Sequence, residues 1–235
     1  MIVVDNMTVR YGGVTSLDGL SLTFEQGICG LIGPNGAGKT TFFNVVSGFV
    51  RPASGTVTAF GDNLLALPHF KRARWGVRRT FQTEQAISDL TVFDNVAMIT
   101  SPLRGVARRA DVLAAIAFVG LGDKAEAKVG TLSAGERRMV EVARSVAGQP
   151  RLILLDEPAA GLPDEETAHL TSVIRAIPGQ TGALTILVDH DMSLVSAVCE
   201  TTAVLDFGKL IASGPTAQVL RDEHVMRAYL GTAEV

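Results

Sequence analysis

The sequence predicts an α/β fold organised around a phosphate-binding loop, and three observations carry that prediction. Gly33-Pro34-Asn35-Gly36-Ala37-Gly38-Lys39-Thr40 fits the pattern of glycine, four residues of any kind, glycine, lysine and a hydroxyl residue. The apolar run Ile28-Cys29-Gly30-Leu31-Ile32 before it reads as a buried strand, and Thr41 to Ser47 after it reads as a helix that Gly48 ends. Leu152-Ile153-Leu154-Leu155 and Leu184-Thr185-Ile186-Leu187-Val188 are short unbroken apolar runs, as strands buried on both faces are, and each leads into acids.

Composition sets the outer bounds. At 235 residues the chain suits one large domain or a core with a subdomain, able to bury about 70–75% of its unfolded surface. Its net charge of −3 argues against nucleic acid as a partner, since such binders carry a strong basic excess. Cys29 and Cys199 are too few for a disulfide framework and lie in apolar settings, which fits a reducing cytoplasm. The start, Met1-Ile2-Val3-Val4-Asp5, lacks the basic and apolar regions of a signal peptide, and no run of about 18 apolar residues offers a membrane span.

Taken in order, residues 2 to 24 alternate apolar and polar positions (Ile2/Val4, Met7/Val9, Leu20/Leu22/Phe24), the period of half-buried antiparallel strands. Tyr11-Gly12-Gly13 interrupts them, leaving an aromatic ring beside a turn; it reads as a strand-end tyrosine or as a stacking platform for a base. In the phosphate loop, glycines let successive N–H groups aim at phosphate oxygens, and the following helix adds its positive dipole end. Lys39 is placed for β/γ-phosphates, and the Thr40 hydroxyl for Mg²⁺. Arg51-Pro52-Ala53-Ser54-Gly55 is a turn before a short strand over Thr56 to Phe60. The basic stretch Lys71 to Arg79 reads as a solvated helix face stopped by Gly76, and Thr80-Phe81-Gln82-Thr83 as the close of a short strand.

From Thr91 to about Ala147 the pattern is helical, with Val112, Leu113, Ile116 and Val119 at helical spacing before Gly120 and Gly122. Ser133 and Glu136 in Leu132-Ser133-Ala134-Gly135-Glu136 have capping-box spacing, and the same geometry leaves N–H groups and a hydroxyl open to an anion. Gln149-Pro150 breaks that helix. The next strand delivers Asp156-Glu157, two carboxylates that need positive charge nearby, for which a Mg-nucleotide is the evident candidate. Leu184 to Val188 delivers Asp189-His190-Asp191, Asp206-Phe207-Gly208-Lys209 is a hairpin turn, and helices around Ala217 to Leu220 and Asp222 to Leu230 follow.

Together these motifs resemble the nucleotide-binding subunits of ABC transporters, over essentially the whole chain. The resemblance implies one ABC domain: a RecA-like core with an N-terminal antiparallel β subdomain and a helical subdomain inserted at about residues 83–146. It implies that Tyr11 stacks on adenine and that Gly33, Pro34, Asn35, Gly36, Ala37, Gly38, Lys39, Thr40 and Thr41 form the Walker A loop around the phosphates of ATP. Gln82 becomes the Q-loop glutamine, and Leu132 to Glu136, with Ser133, Ala134, Gly135 and Glu136, the signature motif. Leu152 to Asp156 becomes Walker B, Glu157 the catalytic carboxylate and His190 the switch histidine, while Thr40, Gln82 and Asp156 serve Mg²⁺. Implied partners are transmembrane permease subunits, a second ATPase subunit, identical or different, and an extracytoplasmic solute-binding protein, at the cytoplasmic face of the membrane.

Within the family, Phe42 to Gly48, Arg79-Thr80-Phe81-Gln82, Asp156 to Leu162, His190-Asp191-Met192 and the ending from Gly214 through His224 to Gly231 look most like the ATPases of branched-chain amino acid importers. The lipopolysaccharide-export ATPase shares the tail and Glu136-Arg137-Arg138, and urea or amide importers use similar subunits; an ATPase acting outside transport is a further alternative. Two residues depart from the family pattern. Ala134 stands for a signature glycine, its Cβ at a place of close phosphate approach, and Pro163 stands where the D-loop carries Asp or Asn.

Overall fold

A computed structural model describes residues 1–104 and 109–230, the side chains of 101–104 and 228–230 excepted. The element order is β1 (Ile2–Tyr11), β2 (Val14–Phe24), β3 (Ile28–Ile32), α1 (Lys39–Ser47), β4 (Ser54–Ala59), β5 (Asp62–Asn63), α2 (His69–Trp75) and β6 (Val77–Arg79). There follow α3 (Val92–Arg104), α4 (Arg109–Phe118), α5 (Ala134–Val146), β7 (Leu152–Asp156), α6 (Asp164–Thr181) and β8 (Leu184–Val188). The chain then runs through α7 (Met192–Val198), β9 (Thr201–Asp206), β10 (Lys209–Pro215), α8 (Thr216–Val219) and α9 (Glu223–Leu230). Of the family-like tail, Gly231 lies outside the described residues.

These elements make two compact units, Met1–Arg72 with Leu184–Val235, and Ala73–Ala183. In the first, the alternation over residues 2 to 24 becomes an antiparallel sheet of order β2-β1-β4-β5. Its apolar face puts Ile2, Val4, Met7, Val9, Leu20 and Leu22 inside, each worth about 1.5–3 kcal/mol of burial. The second sheet of this unit runs β10-β9-β3-β8. There β3 is parallel to both β8 and β9, and every residue of β3 and β8 is buried. A strand flanked on both edges and covered on both faces is expected to be apolar; β3, paired with both β8 and β9, is so throughout, and β8 is so except at the buried Thr185. Cys29 and Cys199 are buried thiols of this core.

The second unit pairs β6 with β7 in parallel, Arg79 opposite Leu154, and carries α3, α4, α5 and α6. Helix α5 begins with the capping box expected of it: Ser133 Oγ accepts from the Glu136 N–H at 3.2 Å, and Glu136 Oε2 from the Ser133 N–H at 3.0 Å. The buried carboxylate of Glu141, one turn further on, accepts from the Gln85 N–H at 3.0 Å and from Arg144 at 2.8 Å. This ties the segment after Gln82 to the helix.

Two expectations are corrected. The basic stretch is only in part a solvated face: α2 ends before Gly76 and Lys71 and Arg74 are exposed, but Arg72 and Arg78 are buried and the Arg79 side chain is 6% exposed. Helical and strand backbone put these cations into carbonyl-rich interior sites; Arg72 donates to the carbonyls of Leu67, Val45 and Val46 at the end of α1, and Arg78 to those of Ala73 and Val77. The strand that was expected to close at Thr80 to Thr83 ends at Arg79, because beyond the Thr80 N–H bond to Leu154 the chain leaves β7.

Candidate functional site

The glycine-rich loop from Gly33 to Thr40 leaves the buried end of β3 and is shaped by backbone demands that only glycine meets. Gly33 has φ 151°, and a Cβ there would stand 2.1 Å from the Leu205 carbonyl oxygen. Gly38 has φ 105°, and its Cβ would meet Leu17 at 2.6 Å and the Ser16 carbonyl at 2.8 Å. The turn between β9 and β10 braces the loop from outside, Gly208 N–H donating to Ala37 O at 3.1 Å. Lys39 is 6% exposed. Its Nζ donates to the carbonyls of Gly33 at 2.6 Å and Pro34 at 2.9 Å.

This donor set fits a phosphate. Helix α1 starts at Gly38 without a side-chain cap, so its first N–H groups face outward with the positive end of the dipole. Thr40 is exposed at that end. Thr41, its neighbour, is buried and shares a 2.7 Å hydrogen bond with the Ser16 hydroxyl, so it braces the loop against β2. Tyr11 is 47% exposed at the tip of the β1–β2 hairpin, with its ring open to a stacking partner. His190 is exposed in the turn after β8; this turn is set by Asp189, which accepts from the Asp191 N–H at 2.9 Å, and by Asp191, which caps α7.

In the other unit β7 delivers Asp156 and Glu157 side by side in the chain but in different surroundings. Asp156 is buried; its Oδ2 accepts from Arg79 Nη2 at 2.8 Å, and its N–H donates to Thr80 Oγ1 at 3.0 Å. Glu157 takes the left-handed conformation, φ 47°, uncommon for a residue with a side chain and frequent at functional sites. That turn directs its Oε2 to Gln82, whose Nε2 donates at 2.9 Å. With its amide N–H so engaged, the carbonyl oxygen of Gln82 is the atom with which it can meet a metal, and Asp156 and Thr40 also offer hard oxygen donors of the kind Mg²⁺ takes. No cluster of three or more His, Cys, Asp or Glu suited to a metal occurs among the described residues.

The segment Leu132 to Glu136 leads into α5. Ala134 is exposed and Gly135 buried. A Cβ on Gly135 would stand 2.3 Å from Cδ of Glu166, a carboxylate from the first turn of α6 whose Oε1 accepts from Ser133 Oγ at 3.4 Å. Beside it a cavity of about 400 Å³ is lined by Leu121, Gly135, Met139, Glu166 and His169 among others. Glu136 faces Lys124 as well as Ser133, and these partners, Lys124 foremost, hold its carboxyl below the ordinary value of 4.5. Pro163 is the N-cap of α6 and supplies no side-chain cap, a role that Asp164, Glu165 and Glu166 in the first turn offset by charge.

Two residues escaped the sequence reading, Arg79 and Glu166. The signal for Arg79 was present: a buried aspartate demands a cation, and the strand beside it carries one.

The ABC transporter family profile matches residues 17–160, more than half of the chain. The chain belongs to the ABC transporter family. This ABC cassette also matches, over residues 209–235, a profile described as branched-chain amino acid ATP-binding cassette transporter. It is 34% identical to the high-affinity branched-chain amino acid transport ATP-binding protein BraF of Pseudomonas aeruginosa, across 99% of this chain and 98% of that one. The same figures hold for LivG of Salmonella typhimurium, described in the same words. The methionine import ATP-binding protein MetN of Streptomyces griseus is 36% identical, over 94% of this chain and 66% of its own. Among solved structures, the ADP conformation of an ABC transporter cassette superposes with a TM-score of 0.88 at 24% identity, covering 98% of both chains. A nucleotide-free cassette gives 0.86 at 23% identity, covering 97% and 98%. The fold is therefore the ABC ATPase fold, and among the described residues no helix is long and apolar enough to cross a membrane.

Proposed function

We propose that this cassette is the ATP-hydrolysing subunit of an importer for branched-chain amino acids or related small solutes. It works as one half of a pair of ATPase subunits at the cytoplasmic face of the membrane, bound to separate permease subunits and served by an extracytoplasmic solute-binding protein. The observation that supports this reading is similarity to branched-chain amino acid transport ATPases along nearly the full length of both chains.

The whole chain is one ABC domain in this reading, with its helical subdomain at about 83–146. Tyr11 stacks on the base, and the loop from Gly33 to Thr41 holds the phosphates, with Lys39 against the β/γ oxygens. Mg²⁺, when bound, neutralises charge on the transferred phosphoryl group, and Thr40, Asp156 and Gln82 are the residues to hold it. Glu157 orients the attacking water and accepts its proton, His190 contacts the γ-phosphate, and Gln82 links the occupied site to the permease. Ser133, Ala134, Gly135 and Glu136 complete the site of the opposite subunit with the N-terminus of α5. The chemistry is placement and electrostatics, which is what a rigid loop and two acids of unlike surroundings provide.

Co-expression with its own permease subunits and binding protein in proteoliposomes tests the reading. ATP-dependent uptake of labelled leucine, isoleucine or valine is expected. Assembly with permeases that move only another solute class, or a lipid outward, would overturn the substrate assignment.

A further inference from the structure

Asp156 ends a strand in which all five residues are buried, so its carboxylate has little water to stabilise its charge. The partner comes from the neighbouring strand: β6 pairs in parallel with β7, and this register sets Arg79 opposite Leu154 and within 2.8 Å of Asp156 Oδ2. The two side chains are 6% and 7% exposed. The guanidinium is fixed from its other side by the Phe81 ring, 4.9 Å from its centroid. The Asp156 N–H, bonded to Thr80 Oγ1, fixes the backbone from which the carboxylate projects.

We propose that Arg79 is the resident counter-cation of Asp156, a positioning residue that aims the Walker B carboxylate and sets how tightly the site takes Mg²⁺. The inference rests on the proposed role of Asp156 in holding the metal. Its logic is one of sign. With no metal bound, Arg79 stabilises the buried carboxylate. Mg²⁺ held by Asp156 would share that carboxylate with Arg79, a cation of like sign, so the guanidinium that orients the carboxylate would also oppose the ion. A fixed organic cation thus makes the site ready without metal and keeps its metal affinity moderate. Arginine suits this role better than lysine, because its planar fork is pre-organised by the ring beneath it and stays charged when buried.

The test compares Arg79→Met and Arg79→Lys with the parent chain, all in a Glu157→Gln background that slows turnover. Melting temperatures are taken in EDTA and in Mg-ATP, and the Mg²⁺ concentration for half-maximal thermal shift is measured at fixed ATP. Arg79→Met should melt well below the parent in EDTA, with the gap narrowing in Mg-ATP, and its half-maximal Mg²⁺ concentration should fall about fivefold or more, the usual scale of such coupling. Arg79→Lys, which keeps the charge, should lie between. An equal drop with and without Mg-ATP and an unchanged Mg²⁺ requirement would make Arg79 a structural ion pair and overturn the inference. If Arg79→Met fails to fold, the lysine variant decides by the same two readings. Asp156→Asn separates the two levels: an unchanged Mg²⁺ requirement in that variant removes Asp156 from the metal site itself. A changed one, with the Arg79 variants flat, removes only the role of Arg79.

Discussion

The Gln82 side chain donates to Glu157 at 2.9 Å, so the two residues to which the proposed function gives nucleotide sensing and water activation meet directly. The amide N–H is a neutral donor that fixes the direction of the Glu157 Oε2 oxygen.

From this contact follows a ranking of two variants. Glu157→Gln should lower phosphate release at saturating Mg-ATP by about 10²–10⁴-fold, the weight of a positioned general base, with nucleotide affinity within about twofold of the parent. Gln82→Ala leaves the carboxylate in place and should cost less than Glu157→Gln. Phosphate-release rates together with fluorescent-nucleotide titration check both; a Glu157→Gln protein with the parent rate would remove Glu157 from the chemistry.

At the signature segment, stability and activity should separate. A methyl group on Gly135 displaces the Glu166 carboxylate, which is the free end of a long side chain, and alanine gains about 1 kcal/mol over glycine inside a helix. Gly135→Ala is therefore expected to unfold in urea within about 1 kcal/mol of the parent, while hydrolysis by the assembled transporter falls more than tenfold because the added carbon stands at the helix N-terminus. A large loss of stability instead would mean that Glu166 is locked where it lies.

The pH dependence of Glu136 has a definite sign. Lys124 and the Ser133 N–H lower its proton affinity in the folded state, so its contribution to stability is present above the ordinary value of 4.5 and is lost as pH falls through the lower folded value. Comparing melting temperatures of Glu136→Gln and the parent, the deficit of the variant should be full near neutral pH and shrink steadily below about pH 4. A deficit independent of pH would assign the effect to lost packing.

Arg72 should matter for folding far more than for catalysis. Its guanidinium donates to the carbonyls of Val45 and Val46, the last-turn acceptors of α1, and to Leu67. Charge-assisted bonds of this kind contribute about 1.5–3 kcal/mol each, less than additively, and they offset the negative end of the helix dipole. Arg72→Met is expected to lose at least about 2 kcal/mol in chemical denaturation, with hydrolysis by the remaining folded protein close to that of the parent.

What was legible in the sequence is what local spacing determines. The strand from Ile28 to Ile32, the helix closed by Gly48, the capping box of Ser133 and Glu136, and the hairpin at Asp206 to Lys209 all follow from a few consecutive residues, and all are in the structure. The expectation for Asp156 was right about need and incomplete about supply. That carboxylate required a cation, but Arg79 precedes it by 77 positions and reaches it only through the β6–β7 register. The Ser133–Glu166 contact spans 33 positions for the same kind of reason, the packing of α6 near the start of α5. Net charge misled in part: an acidic whole made the Lys71 to Arg79 stretch look solvated, and Lys71 and Arg74 are, whereas carbonyls at helix and strand ends draw Arg72 and Arg78 inside.

Lys39 is already bonded to the carbonyls of Gly33 and Pro34, and the frame of its loop is held by Gly208 and Ser16. In the proposed function, phosphate oxygens have to compete at this ammonium with two carbonyl oxygens of the protein itself. The measured affinity is the surplus of the new set over the old.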